Sequence, residues 1–101
     1  MKFEATPLPG VYLLHPRVFG DERGFFLESW NARTFANEGF DLDFVQDNHS
    51  RSAKGILRGM HYQAAPDEET KLVRCTRGAA HHVLVDLRPG SATRGQWTSA
   101  E

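Results

Sequence analysis

At 101 residues, with 40% hydrophobic and 25% charged side chains, the chain has the length of one ordinary domain and a composition that excludes disordered and fibrous classes. A formal net charge of −1 without any Lys/Arg run removes the electrostatic footprint of a nucleic-acid binder. No apolar stretch approaches the roughly 18 residues of a membrane span, and Met1-Lys2-Phe3-Glu4 lacks a signal-peptide core, so neither nucleic acid nor membrane is an expected partner.

Taken in chain order, short apolar runs between Gly, Pro, Asp and Asn predict strands: Val11–Leu14, Gly24–Trp30, Phe44–Gln46, Ile56–Leu57, Lys71–Cys75 and Val83–Leu87. That spacing is the pattern of an all-β sandwich or barrel, a single domain over residues 1–101, with no internal repeat or linker. One segment differs. Asn31 is placed to cap a short helix and Gly39 to end it. Turn chemistry marks Gly20–Gly24 and Arg88–Ser91 as exposed reversals. The final residues, Gly95 to Glu101, read as a strand that begins and stops, so the sandwich is expected to be incomplete at its C-terminal side. The single cysteine, Cys75, has no partner for an intramolecular disulfide and is expected to pack inward on a strand. A reducing, cytoplasmic setting fits that count.

Candidate chemistry concentrates between Gln46 and Gln63. Gln46-Asp47-Asn48-His49-Ser50-Arg51-Ser52, followed by Arg58-Gly59-Met60-His61, interleaves amides, arginines and histidine with glycine. Solubility alone would favour Lys and Glu, whereas this mixture suits hydrogen bonding to a polar ligand. His61 has a side chain able to accept a proton near neutrality, which makes general-base work reasonable, although a strand histidine is more often structural. A metal site is the competing use of His15, His49, His61, His81 and His82. Their spacing serves it poorly, because the adjacent His81 and His82 project to opposite faces of a strand. The cupin-barrel metal signature has a second histidine two residues after the first, and here Gln63 stands there. No metal and no cofactor are expected.

Several blocks combine: Pro7-Leu8-Pro9-Gly10-Val11, Phe19-Gly20-Asp21-Glu22-Arg23-Gly24-Phe25-Phe26, Phe44-Val45-Gln46-Asp47-Asn48-His49-Ser50, Leu57-Arg58-Gly59-Met60-His61-Tyr62-Gln63 and Lys71-Leu72-Val73-Arg74. In order and spacing they resemble the dTDP-4-dehydrorhamnose 3,5-epimerase family over essentially the whole chain, corresponding to roughly its first half. The resemblance implies a cupin-type jelly roll without metal, a dTDP-linked 4-keto-6-deoxy sugar as substrate, and a homodimer with exchanged N-terminal strands. Epimerisation beside a ketone needs a base, a group that stabilises the enolate oxygen, and an acid on the opposite face. By the resemblance His61 is the base and Lys71 the cation near the enolate. Arg23, Glu28, Gln46, Asp47, Asn48 and Arg58 fall on substrate-contacting positions, with Arg23 and Glu28 serving the partner subunit's site.

The family's acid is a tyrosine beyond Glu101, and Tyr12 and Tyr62 do not match its position. His82 stands where the family usually has an aspartate, which puts that polar pair in doubt. The runner-up reading is therefore a truncated or degenerate cupin-fold protein that binds a nucleotide sugar without turnover.

Overall fold

A computed structural model describes all residues, Met1–Glu101. It contains six strands and one helix: β1 Lys2–Ala5, β2 Tyr12–His15, β3 Val18–Asp21, β4 Gly24–Leu27, α1 Ala32–Asn37, β5 His82–Val85 and β6 Trp97–Ala100. The strands form three separate two-stranded antiparallel sheets, β1-β2, β3-β4 and β5-β6. Two compact units are distinguished, residues 1–43 with 79–101 and residues 44–78.

In the first unit, each hairpin is closed by local chemistry. Leu8-Pro9-Gly10-Val11 turns β1 toward β2. The Val11 N–H donates to Leu8 O at 3.1 Å, proline presets the first turn angle, and Gly10 supplies the positive φ of 86° that the next position requires. The Arg88-Pro89-Gly90-Ser91 reversal repeats the device, with Ser91 N–H on Arg88 O at 3.3 Å and Gly90 at φ 74°. In β3-β4 the register Asp21↔Gly24 leaves Glu22 and Arg23 as a two-residue turn, inside the reversal the sequence predicts.

Asn31 caps α1: its side-chain oxygen accepts the Thr34 N–H at 3.1 Å. Trp30, just before the cap, packs on Phe35 with ring centroids 4.4 Å apart, an apolar clamp across the first helical turn. At the other end Phe40 N–H reaches Phe35 O at 2.9 Å and Gly39 N–H reaches Ala36 O at 3.0 Å, a closure that satisfies the last carbonyls. The helix thereby presents Phe35, 3% exposed, to Phe3 at 5.0 Å. Phe40 stacks on Phe3 at 5.4 Å and meets Tyr12 edge-on at 4.8 Å. This aromatic cluster joins α1 to the first hairpin.

The β5-β6 connection is organised around a buried carboxylate. Asp86, 4% exposed, accepts from Arg88 Nε and Nη2 at 2.9 and 2.8 Å, from Ser91 Oγ at 2.6 Å and from Thr93 Oγ1 at 2.6 Å. The Arg88 guanidinium, followed by the two hydroxyls, holds the Asp86 carboxyl far below the usual carboxylate range.

The second unit, residues 44–78, corrects three predictions. Phe44–Gln46, Ile56–Leu57 and Lys71–Cys75 are not strands, and its backbone hydrogen bonds are turns such as Ile56 N–H on Ala53 O at 3.3 Å and Asp67 N–H on Ala64 O at 2.9 Å. A strand exists only by pairing with another, and no two of these segments pair. The apolar signal that suggested strands stays exposed, with Val45 at 88% and Leu57 at 92%. Cys75 is exposed too, its thiol directed at Arg77 O at 3.3 Å, where an inward-packed strand residue was expected. Two strands, β1 and β3, escaped the sequence reading, whereas the expected terminal strand is present as β6.

Two outcomes follow. Phe35→Ala removes the ring shared by Trp30 and Phe3 and should cost about 3–5 kcal/mol, read as loss of the cooperative unfolding transition or a large drop in its midpoint. Asp86→Asn should lower the thermal midpoint by several degrees at neutral pH. Because the folded-state carboxyl is depressed, its contribution is complete above the unfolded value near pH 4 and is lost as pH falls through the folded value. The wild-type and Asp86→Asn melting points should therefore converge on acidification below about pH 4.

Candidate functional site

Each expected site residue occupies a definite local setting. In the first unit, Arg23 sits on the β3-β4 turn. Asp21 Oδ1 accepts both its backbone N–H at 2.9 Å and its Nε at 3.2 Å, and Asp21 Oδ2 accepts Nη2 at 2.5 Å. The guanidinium is held by one edge and its remaining N–H groups face solvent, its side chain being 86% exposed. The pairing raises the Arg23 pKa and lowers that of Asp21, chiefly through the side-chain hydrogen bond.

Glu28 directly follows β4 and accepts a hydrogen bond from Asn31 Nδ2 at 3.0 Å. With Met1, Arg17, Phe19 and Phe26 it lines a pocket of about 250 Å³. Phe19 and Phe26 are register partners across β3 and β4, yet 51% and 70% exposed. Arg17 lies over the Phe19 ring at 4.6 Å. The combination offers flat aromatic surface, one cation and one carboxylate, which suits a planar heterocycle better than a sugar alone. Arg17, Phe19 and Phe26 were missed as site residues. The signal for them is the exposed pairing of two aromatics, which becomes visible only once the hairpin register is known.

In the second unit, Gln46 Nε2 donates to Asn48 Oδ1 at 3.3 Å, bringing two of the expected ligand contacts together. Arg58 donates through Nε to Ser52 Oγ at 2.9 Å and through Nη2 to Arg51 O at 3.2 Å, so residues 51–58 form a small loop around its guanidinium. Asp47 and His61 are exposed. His61 follows Gly59-Met60 in irregular backbone, not on the strand expected for it. Lys71 pairs with Glu69 at 3.6 Å, 60% exposed, so its ammonium is engaged by a weak, solvated partner. Elsewhere, no group of three or more His, Cys, Asp or Glu residues comes together in a metal-binding arrangement, and no helix is long and apolar enough to cross a membrane.

The family model for dTDP-4-dehydrorhamnose 3,5-epimerase matches residues 5–101. The chain is 56% identical over 98 residues to the dTDP-4-dehydrorhamnose 3,5-epimerase of Pseudomonas aeruginosa, covering 96% of this chain and 54% of that protein. The Escherichia coli epimerase is 53% identical over 93 residues, covering 91% of this chain and 50% of its own. Two crystal structures of such epimerases superpose closely. The one from Elizabethkingia anophelis has a TM-score of 0.90 at 44% identity and covers 99% of this chain and 55% of that one. The one from Bacillus anthracis, with TDP and PPi bound, has a TM-score of 0.91 at 44% identity and covers 98% and 57%.

Short antiparallel sheets with one helix, superposing on these structures, define a mostly-β chain that shares the fold of the solved epimerases over its length. More particularly, the chain belongs to the dTDP-4-dehydrorhamnose 3,5-epimerase family. It spans about half the length of the curated relatives it matches.

The Asp21–Arg23 lock makes a direct prediction. Arg23→Ala should raise the Asp21 carboxyl pKa toward the ordinary aspartate value, measured by following the carboxyl carbon of Asp21 through an NMR pH titration.

Proposed function

We propose that the chain provides the proton-abstracting and substrate-gripping residues of an epimerase acting on a dTDP-linked 4-keto-6-deoxy sugar, of the dTDP-4-dehydro-6-deoxyglucose to dTDP-4-dehydrorhamnose type. The observation that carries this reading is the likeness to the Bacillus anthracis epimerase, which holds TDP and PPi. The epimerase names of its relatives favour turnover over a merely binding protein.

The chemistry is a proton transfer. The His61 imidazole removes the proton from a carbon beside the ketone, the electron pair of that C–H bond moves into the enolate, and the Lys71 ammonium stabilises the oxygen where the charge collects. Lys71 suits the task because its bond to Glu69 is solvated and easily exchanged for a substrate oxygen. An acid then returns a proton to the other face. Arg23, oriented by Asp21, and Arg58, oriented by Ser52 and Arg51, each present a guanidinium fork suited to a diphosphate oxygen. Gln46, Asp47 and Asn48 hydrogen-bond the polar edges of the ligand. The Phe19–Phe26 face and Arg17 take the thymine ring, with Glu28 beside it.

The wider architecture of this reading is a cupin-type jelly roll formed as one domain, in a homodimer that exchanges N-terminal strands so that Arg23 and Glu28 serve the partner's site. Its setting is the cytoplasm.

Solvent exchange reads the base step alone, since a base that takes a proton can return a deuteron to the same face. The chain in deuterium oxide should wash deuterium into the carbons flanking the ketone of dTDP-4-dehydro-6-deoxyglucose, followed by NMR. His61→Ala should slow that exchange by roughly 10²–10⁴-fold. Exchange that is absent, or unchanged in His61→Ala, would sink the assignment.

A further inference from the structure

Asn31 makes two hydrogen bonds that belong to different parts of the fold. Its Oδ1 accepts the Thr34 N–H at 3.1 Å, capping α1, while its Nδ2 donates to Glu28 Oε2 at 3.0 Å. A backbone N–H can only donate, so the cap bond fixes which end of the amide faces the helix, and the NH₂ group is necessarily the end left for Glu28. Ser, Thr and Asp cap helices about as well as Asn. Among the four, Asn alone carries an NH₂ group to offer a carboxylate.

Glu28 is the sole carboxylate in the pocket formed with Met1, Arg17, Phe19 and Phe26. It is exposed and follows directly on the last residue of β4, so its side chain would otherwise sample several rotamers. The cap residue, in contrast, is anchored: the Trp30–Phe35 clamp at 4.4 Å flanks it and Phe35 is buried. We propose that Asn31 is a positioning residue that transmits the rigidity of the α1 start to Glu28, presetting the carboxylate for the heterocycle of the ligand. The ligand half of this proposal rests on the nucleotide-sugar reading above.

The test separates capping from positioning. Asn31→Asp keeps the cap and replaces the donor with a like charge facing Glu28; Asn31→Ser keeps the cap while exchanging the NH₂ group for a single hydroxyl on a side chain one bond shorter. Both should melt within about 2 °C of wild type. Both should turn a single Glu28 rotamer, read from side-chain scalar couplings in the free protein, into an averaged one. TDP affinity by calorimetry should fall roughly tenfold in Asn31→Asp, and that loss should vanish in a Glu28→Ala background. Unchanged Glu28 couplings in Asn31→Asp, or an equal loss of TDP affinity with and without Glu28, overturns the positioning role. A wild-type chain with ordered Glu28 that binds no TDP overturns the nucleotide reading and leaves the positioning intact.

Discussion

A β-strand is never self-sufficient. Its amides and carbonyls must be met by a second backbone or by water, and this constraint decides which parts of the chain acquire regular structure. Lys2–Ala5 finds Tyr12–His15 across a Pro-Gly turn, Val18–Asp21 finds Gly24–Leu27 across two residues, and His82–Val85 finds Trp97–Ala100 across the Asp86-centred loop. Each pairing is secured by a turn with its own chemistry. Between Phe44 and Gly78 no two segments pair, and apolar runs of similar character carry no strand.

Much of the first unit was legible in the sequence for the same reason. The cap at Asn31, the stop near Gly39 and the Arg88–Ser91 reversal are signals read within a few residues, and local hydrogen bonds decide them. Strands β1 and β3 were not legible. Lys2–Ala5 alternates polar and apolar residues over only four positions, too few to stand out as a strand, and Val18–Asp21 contains a glycine and an aspartate, so neither is recognisable until its partner is known. The second unit shows the reverse error, because Lys71–Cys75 has the composition of a strand without a pairing segment. Composition reports what a segment can do; pairing reports what it does.

The candidate site divides along the same line. Motif resemblance brought out Arg23, Glu28 and the run from Gln46 to Lys71, since the residue types themselves carry the signal. The pocket of Arg17, Phe19 and Phe26 depends on cross-strand register and on exposure, which no single-residue reading supplies. His61 is the instructive case. A lone histidine in a polar stretch has little claim of its own, and its standing comes from the blocks around it and from family membership, whereas its predicted strand setting did not survive.

The Asp86 hub also bears on how this fold tolerates change over evolutionary time. A flexible connection pays only a slowly growing entropic cost for extra residues, so surface loops ordinarily drift in length. Here Arg88, Ser91 and Thr93 must all reach one pair of carboxylate oxygens, and inserting or deleting a residue between them would carry at least one donor out of range. The β5-β6 connection is thus a ruler as well as a link: its residue count is held by chemistry, while the sequence at Ala92, which makes none of these side-chain bonds, is left comparatively free.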